Sequence, residues 1–290
     1  MDAVAPVNAA RRTVAILENV PIATDTYRLR INDPVMARAI RPGQFLMVKP
    51  ASGTDPLLAR PFALYEVVRD DSGVPVAVDL VYVVIGRGTS CLSRLRPGDL
   101  VTTWGPLGNG FGAAPGGAVI FVAGGIGQTP FLSLGRWWLG QSDYGGVRHS
   151  TGSVDSATLL YGVRTAGLAA GVADFERAGI AVELATDDGS VGHQGYVTDL
   201  LARRLESGER PSRIVGCGPP AMLSVLSRLV EKFNLPCDLS MENHMACGFG
   251  ACFSCVAPIR QADGSSDLRR VCVEGPIFSS RDVVWTGSGH

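Results

Sequence analysis

Long apolar runs are missing from this sequence. No stretch reaches the roughly 18 apolar residues of a membrane-spanning helix, and Met1–Arg12 lacks the apolar core of a signal peptide. The expectation is a cytoplasmic protein with no membrane span. Lysine is almost absent, at Lys49 and Lys232 only; the other basic residues are arginine. Arginine suits fixed recognition of phosphate and carboxylate, although biased genome composition explains the skew equally well. Net charge is only -1 and the pI is near 6.4, so no basic field points to nucleic acid. Cysteine is sparse too. There are seven, an odd number, and four of them crowd between residues 247 and 272. In a reducing compartment that distribution favours a metal centre over a disulfide framework.

What is present is ordinary globular material, 46% hydrophobic and 18% charged over 290 residues. That length predicts about two domains, and the patterning divides it further. Residues 1–113 read as strands and turns: Thr13–Glu18, Gln44–Lys49, Phe62–Val68 and Val76–Ile85, with Asp70-Asp71-Ser72-Gly73 as a turn. An antiparallel barrel or sandwich is expected there. Residues 114–235 alternate. Strands are expected at Ala118–Ala123, Thr158–Val163, Ala181–Thr186 and Arg213–Cys217. Helices are expected from Thr129, near Leu168–Ala178, near Tyr196–Leu205 and at Pro220–Phe233. Such alternation predicts a parallel sheet covered on both faces. Residues 236–290 hold the cysteine cluster as a small C-terminal region. Ser142–Ser156 and the tail from Ser279 read as loops, and no internal repeat is found.

The cysteines are spaced Cys247-x4-Cys252-x2-Cys255, with sixteen residues between Cys255 and Cys272. This is close to plant-type [2Fe-2S] spacing: three thiolates from one tight loop and a fourth from a returning segment. Gly248 and Gly250 permit positive φ and let backbone N–H groups turn toward the sulfurs. Structural zinc competes with this reading. Zinc usually takes paired C-x2–4-C knuckles, and only Cys252 and Cys255 form one. Four unliganded buried cysteines are a further alternative. Cys91 and Cys237 lie outside the pattern and read as ordinary buried residues.

Other motifs point to nucleotides. Arg60-Pro61-Phe62-Ala63-Leu64 opens a strand. Gly86-Arg87-Gly88-Thr89-Ser90 leads into a helical turn at Cys91–Leu95 that Thr89 or Ser90 can cap. A glycine before a helix start suits a diphosphate. Gly105–Phe111 reads GPLGNGF. Gly124-Gly125-Ile126-Gly127 and Gly216-Cys217-Gly218-Pro219 each join a strand to a helix, and both turns should lie on one sheet edge. The first is not the G-x-G-x-x-G fingerprint, so tight packing explains it as well as nucleotide binding does.

Taken in order, these elements resemble the ferredoxin-NADP reductase superfamily. There a barrel binds flavin through R-P-x-S, and an α/β domain binds the nicotinamide nucleotide through G-G-x-G and C-G-P turns. The appended cysteines resemble the electron transfer subunits of dihydroorotate dehydrogenase B. The matching segments are Arg60–Leu64, Gly88-Thr89, GPLGNGF at 105–111, AGGIGQTP at 123–130, SME at 240–242, CGFGACFSC at 247–255 and VCVEGPIF at 271–278. The resemblance implies FAD contacted by Arg60, Pro61, Phe62, Ala63, Val81, Tyr82 and Val83, with Gly88 and Thr89 at its diphosphate. It implies a [2Fe-2S] cluster on Cys247, Cys252, Cys255 and Cys272. It places Gly125, Ile126, Gly127, Cys217, Gly218 and Pro219 at the nicotinamide of NAD. It implies a partner too: an FMN-containing dihydroorotate dehydrogenase catalytic subunit, in a heterotetramer serving pyrimidine biosynthesis. Hydride transfer requires no side-chain acid or base, so no catalytic residue is expected.

Two positions depart from the pattern. Ala63 stands where the family has serine, which removes a hydroxyl from the flavin motif. Val83 stands where arginine is expected, with Arg87 close enough in sequence to substitute. Two other function classes stay open. One is a related flavin and iron-sulfur reductase serving a hydrogenase, an NADH-dependent ferredoxin:NADP oxidoreductase or an oxygenase. The other is a non-catalytic subunit that binds zinc or nucleotide and regulates a partner. The chain shows no pocket motif for a carboxylate substrate and no FMN barrel of its own, so its redox partner should be another protein.

Overall fold

The computed structural model describes residues 9–147 and 153–285. The first sheet is antiparallel, seven-stranded and curled. Its strands are β1 (Ala10–Ala23), β2 (Thr26–Ile31), β3 (Phe45–Pro50), β4 (Arg60–Ala63), β5 (Glu66–Arg69), β6 (Pro75–Val83) and β7 (Leu100–Leu107), in the order β4-β3-β7-β1-β2-β6-β5. Two short helices belong to this half: α1 (Pro34–Ala39) and α2 (Arg87–Leu92). Asp33 caps α1 by accepting from Met36 N.

The single strand expected at Phe62–Val68 is two strands. Leu64 donates to Gln44 O, and Tyr65 donates to Asp79 O. At this point the chain leaves β3 for β6. Leu64 and Tyr65 are both buried, so alternation breaks and the chain turns a corner.

The second sheet carries the alternating half. Its strands β8 (Ala118–Gly124), β9 (Ser156–Val163), β10 (Ala181–Thr186), β11 (His193–Gln194), β12 (Arg213–Cys217) and β13 (Cys237–Ser240) run parallel. Parallel strands covered on both faces read as near-continuous apolar runs, and β8 (AVIFVAG) does so. Its alternate residues serve different cores. Phe121 faces α3 (Phe131–Trp138) and α4 (Val172–Arg177); Ile120 and Val122 share a core with α5 (Val197–Glu206) and α6 (Pro220–Lys232). The helix expected near Leu168–Ala178 begins later, at Val172, because Gly171 takes φ +74°. A Cβ on Gly171 would meet the Tyr65 hydroxyl at 2.4 Å.

After β13 the chain enters the cysteine loop, then a hairpin of β14 (Val256–Arg260) and β15 (Ser266–Arg270). It returns as β16 (Ile277–Ser279), which pairs antiparallel with β13 and closes the second sheet's edge. The cysteine region is therefore anchored at both ends to the edge of the second sheet.

The two halves share a core and a polar seam. Tyr65 donates to Asp174 of α4 at 2.7 Å, while Arg136 of α3 and Tyr144 donate to Glu66 at 3.0 and 2.6 Å. Tyr144 lies in the segment expected to be loop, yet it is buried at this seam; residues 148–152 of that segment lie outside the described residues. Among the described residues, no helix is long and apolar enough to cross a membrane.

Candidate redox site

The cysteine loop follows β13 directly and has no regular structure before β14. Its shape comes from Gly248 (φ +80°) and Gly250 (φ +88°). A Cβ at Gly250 would strike Val273 Cγ2 at 2.6 Å, so the loop can close onto the returning segment only with glycine there. Arg270 fastens the closure. It donates to Gly250 O at 3.3 Å, pairs with Glu274, and lies 5.1 Å above the Phe253 ring.

All seven cysteines are free thiols. Cys255 and Cys272 are buried, Cys247 is half-buried and Cys252 is exposed. The four candidates lie near one another, with Cys247 a neighbour of Cys252, and Cys255 and Cys247 neighbours of Cys272. Burial pushes the Cys272 thiol up to about 12. The Ser254 hydroxyl, 3.2 Å from Cys252 Sγ, brings that thiol down to about 6. Among the described residues, no three His, Cys, Asp or Glu side chains converge to hold a single ion. Three thiols on one tight loop and a fourth on the returning segment are the donor set that a [2Fe-2S] cluster takes. Binding would displace the thiol protons, including that of buried Cys272.

The loop is seated on the first sheet. Trp104 of β7 donates from Nε1 to Cys247 O at 2.9 Å. Asn109, in the GPLGNGF turn, donates to Glu274 O (3.1 Å) and Ile277 O (2.9 Å) and accepts from Ile277 N (3.1 Å).

Arg60, Pro61, Phe62 and Ala63 make up β4, which ends the sheet. An edge position tolerates Pro61, which has no N–H to donate. The Arg60 guanidinium lies across Gly88, where a Cβ would come within 2.9 Å of its Cζ. This contact joins the Arg60 motif to the Gly88-Thr89 motif. Val81, Tyr82 and Val83 finish β6. The Phe62 and Tyr82 rings are 5.6 Å apart, Tyr82 stacks on Tyr27, and its hydroxyl donates to Asn19 at 3.0 Å. Helix α2 starts earlier than expected, at Arg87 after Gly86. Thr89 is therefore inside the helix, and its hydroxyl reaches back to accept from Ile85 N at 3.0 Å. Arg87 is exposed and ion-paired with Asp55, so the expected stand-in for an arginine at Val83 is already partnered.

The two nucleotide turns meet. A Cβ on Gly127 would lie 2.2 Å from Cys217 O, and one on Gly124 would lie 2.8 Å from Pro219 Cδ. Gly218 sits equally close to Gly124, where its Cβ would be 2.9 Å from Gly124 N. Gly125, Ile126 and Gly127 belong to a 3-10 turn, Gly125–Gln128, that lies against β6. The first of these turns therefore lies against β6, the strand that carries Val81 to Val83, and the second turn packs on the first. Cys217 is buried, and its thiol donates to Glu242 Oε1 at 3.8 Å. Burial holds the Glu242 carboxyl above its ordinary range, partly countered by that thiol.

Glu242, Trp104 and Asn109 were not singled out from sequence. Glu242 and Asn109 lie inside motifs already noted, SME and GPLGNGF, but spacing alone did not distinguish them. Trp104 carried no sequence signal.

Comparison with known proteins agrees with this arrangement. Residues 242–284 match the family described as the iron-sulfur cluster binding domain of dihydroorotate dehydrogenase B. Residues 121–228 match the oxidoreductase NAD-binding domain. The chain is 36% identical to the dihydroorotate dehydrogenase B (NAD(+)) electron transfer subunit of Desulforamulus reducens, over 91% of this chain and 94% of that protein. It is 34% identical to the protein of the same name in Geobacillus thermodenitrificans, over 94% and 98%. Among solved structures, an NADH-dependent reduced ferredoxin-NADP oxidoreductase superposes with a TM-score of 0.77 at 24% identity, covering 98% of this chain and 92% of that one. An Amycolatopsis cytochrome P450 reductase gives a TM-score of 0.61 at 22% identity, covering 78% and 67%. These two likenesses establish the reductase fold. The extent and identity of the curated matches establish more: the chain belongs to the family of dihydroorotate dehydrogenase B electron transfer subunits.

Proposed function

We propose that this chain carries electrons between NAD and the FMN of a dihydroorotate dehydrogenase catalytic subunit, in pyrimidine biosynthesis, within a heterotetramer. The reading divides it into a flavin barrel at 1–113, a nucleotide domain at 114–235 and a cluster region at 236–290. The observation that carries it is the juxtaposition of the two nucleotide turns with each other, of the first with β6, and of the second with the segment through Glu242 that leads into the cysteine loop.

Bound FAD would exchange a hydride with NAD and single electrons with a [2Fe-2S] cluster, which converts two-electron into one-electron chemistry. The chain's own residues position these groups. Arg60, Pro61, Phe62 and Ala63 offer the free edge of β4 to the flavin, and Arg60 stands with Gly88 and Thr89 at its diphosphate. Val81, Tyr82 and Val83 bound it on the β6 side. Gly125, Ile126 and Gly127 form one wall of the nicotinamide site, and Cys217, Gly218 and Pro219 form the other. Cys247, Cys252, Cys255 and Cys272 hold the cluster. Cys252 is exposed, which puts the cluster's outer end within reach of a partner.

Reconstitution tests this reading. Purified protein should show flavin absorbance and a [2Fe-2S] EPR signal. Mixed with the FMN-containing subunit, it should couple dihydroorotate oxidation to NAD reduction. A colourless protein would sink the redox assignment. A coloured protein that couples NADH only to some other acceptor would sink the partner assignment.

A further inference from the structure

One row of side chains links the flavin motif to the cysteine loop. Pro61 of β4 pairs with Met47 of β3, and Met47 pairs with Trp104 of β7. Directly opposed residues on antiparallel strands point to the same face. Adjacent strands are about 4.8 Å apart, so the row spans about 10 Å. The cysteine loop sits on it. A Cβ on Gly248 would lie 2.5 Å from Met47 Cγ and 2.8 Å from Met47 Sδ. Next to Gly248, Cys247 presents its carbonyl to the Trp104 indole at 2.9 Å. Met47 is buried in this contact.

Asn109, just past β7, holds the returning segment at Glu274, Gly275 and Ile277, whereas the bonds of the loop around Cys247 are mostly internal. Asn243 donates to Val256 O, Ala246 donates to Ser254 Oγ, and Ser254 donates to His244 O, all within the cysteine region. Gly250 is held by Arg270, from the same region. Among the described residues, the Trp104 bond is the direct hydrogen bond between a candidate ligand cysteine and the first sheet, whose edge strand β4 carries the Arg60 motif.

We propose that Trp104 and Met47 are positioning residues. They fix Cys247 against the β3–β7 face and so set the gap that electrons cross between flavin and cluster. This rests on the flavin and cluster reading above. One electron crosses at a time in either direction, and two crossings balance one hydride exchanged with NAD. Trp104 and Met47 take no part in the chemistry and touch the ligand cysteine only through its backbone and its glycine neighbour.

The test uses the full-length protein with FAD and cluster restored. Trp104→Phe keeps the ring and removes the N–H. Amide exchange over Cys247–Phe253 should speed up about five-fold, as expected for one lost hydrogen bond. In stopped flow, flavin reduction by NADH should match wild type, while the following cluster reduction slows about ten-fold through misplacement. The EPR line shape of the reduced cluster should shift. Met47→Ala, which removes the seat but keeps the indole bond, should give the same split between the two half-reactions. Wild-type exchange together with a wild-type flavin-to-cluster rate would overturn the proposal. Equal slowing of both half-reactions would also overturn it, because that marks a general structural defect. If wild-type protein takes up no flavin or cluster, the proposed function fails instead, and exchange in the apoprotein still decides whether Trp104 holds the loop.

Discussion

Alanine at Gly127 tests the joint between the two nucleotide turns. Its Cβ would stand 2.2 Å from Cys217 O, 2.5 Å from Cys217 C and 2.9 Å from Gly218 N, where ordinary contact begins at 3.4 Å. The shortfall against the carbonyl oxygen is 3.4 minus 2.2, or 1.2 Å. Every opposing atom is backbone and cannot rotate aside as a side chain could. Gly127 does not occupy the left-handed region, so the penalty is steric rather than conformational. Overpacking of this kind costs roughly 1–3 kcal/mol. At about 3 °C per kcal/mol, the unfolding midpoint of the nucleotide half should fall by about 3–9 °C. A displacement near 1 Å should also lower NADH-dependent dye reduction by about 100-fold in kcat/KM. Reduction of the flavin by dithionite, which bypasses the turns, should be unaffected. Gly112→Ala is the control, since a Cβ there meets nothing within 4 Å. Calorimetry and steady-state kinetics on both variants decide the matter. A Gly127→Ala protein that melts and turns over like wild type would refute the close approach of the two turns.

Cys252→Ser should abolish the [2Fe-2S] EPR signal while NADH-driven dye reduction through the flavin survives; a normal spectrum would remove Cys252 from the ligand set. Tyr65→Phe deletes the hydroxyl that donates to Asp174 at 2.7 Å across the seam. It should lower stability by about 1.5–3 kcal/mol in urea unfolding, as for a bond to a charged group, and an unchanged midpoint would show that the seam carries no load. Glu66 gives a pH test. Burial raises its pKa above 4.5 despite the opposing pull of Arg136, so the folded state binds this proton more tightly than the unfolded chain does. Its contribution is complete below 4.5 and is lost as pH rises through the raised value. The stability of wild type relative to Glu66→Gln should therefore decline over that window. A flat or rising difference, measured by thermal unfolding across pH, would contradict the burial argument.

The features legible in the sequence were local ones. Spacing of 4, 2 and 16 residues between cysteines reads directly as a metal motif, because one short loop must supply three ligands. Strand-helix alternation from Ala118 to Lys232 was legible because periodicity and turn glycines act over a few residues. The meeting of the two nucleotide turns was expected for the same reason, since parallel strands deliver their carboxyl ends to one edge.

Pairings between distant segments were decided only by the tertiary structure. The corner at Leu64-Tyr65 depends on a change of strand partner, which no stretch of seven residues encodes. Arg87 looked free to serve a phosphate, and a distant loop supplied Asp55 instead. Return of the chain as β16 against β13 joined the cysteine region to the nucleotide sheet. The bond from Trp104 to Cys247 spans 143 residues. Sequence spacing determined which thiols could bind a cluster. Strand register determined where that cluster would stand relative to the flavin motif, because side-chain neighbours across a sheet follow from pairing and not from order along the chain.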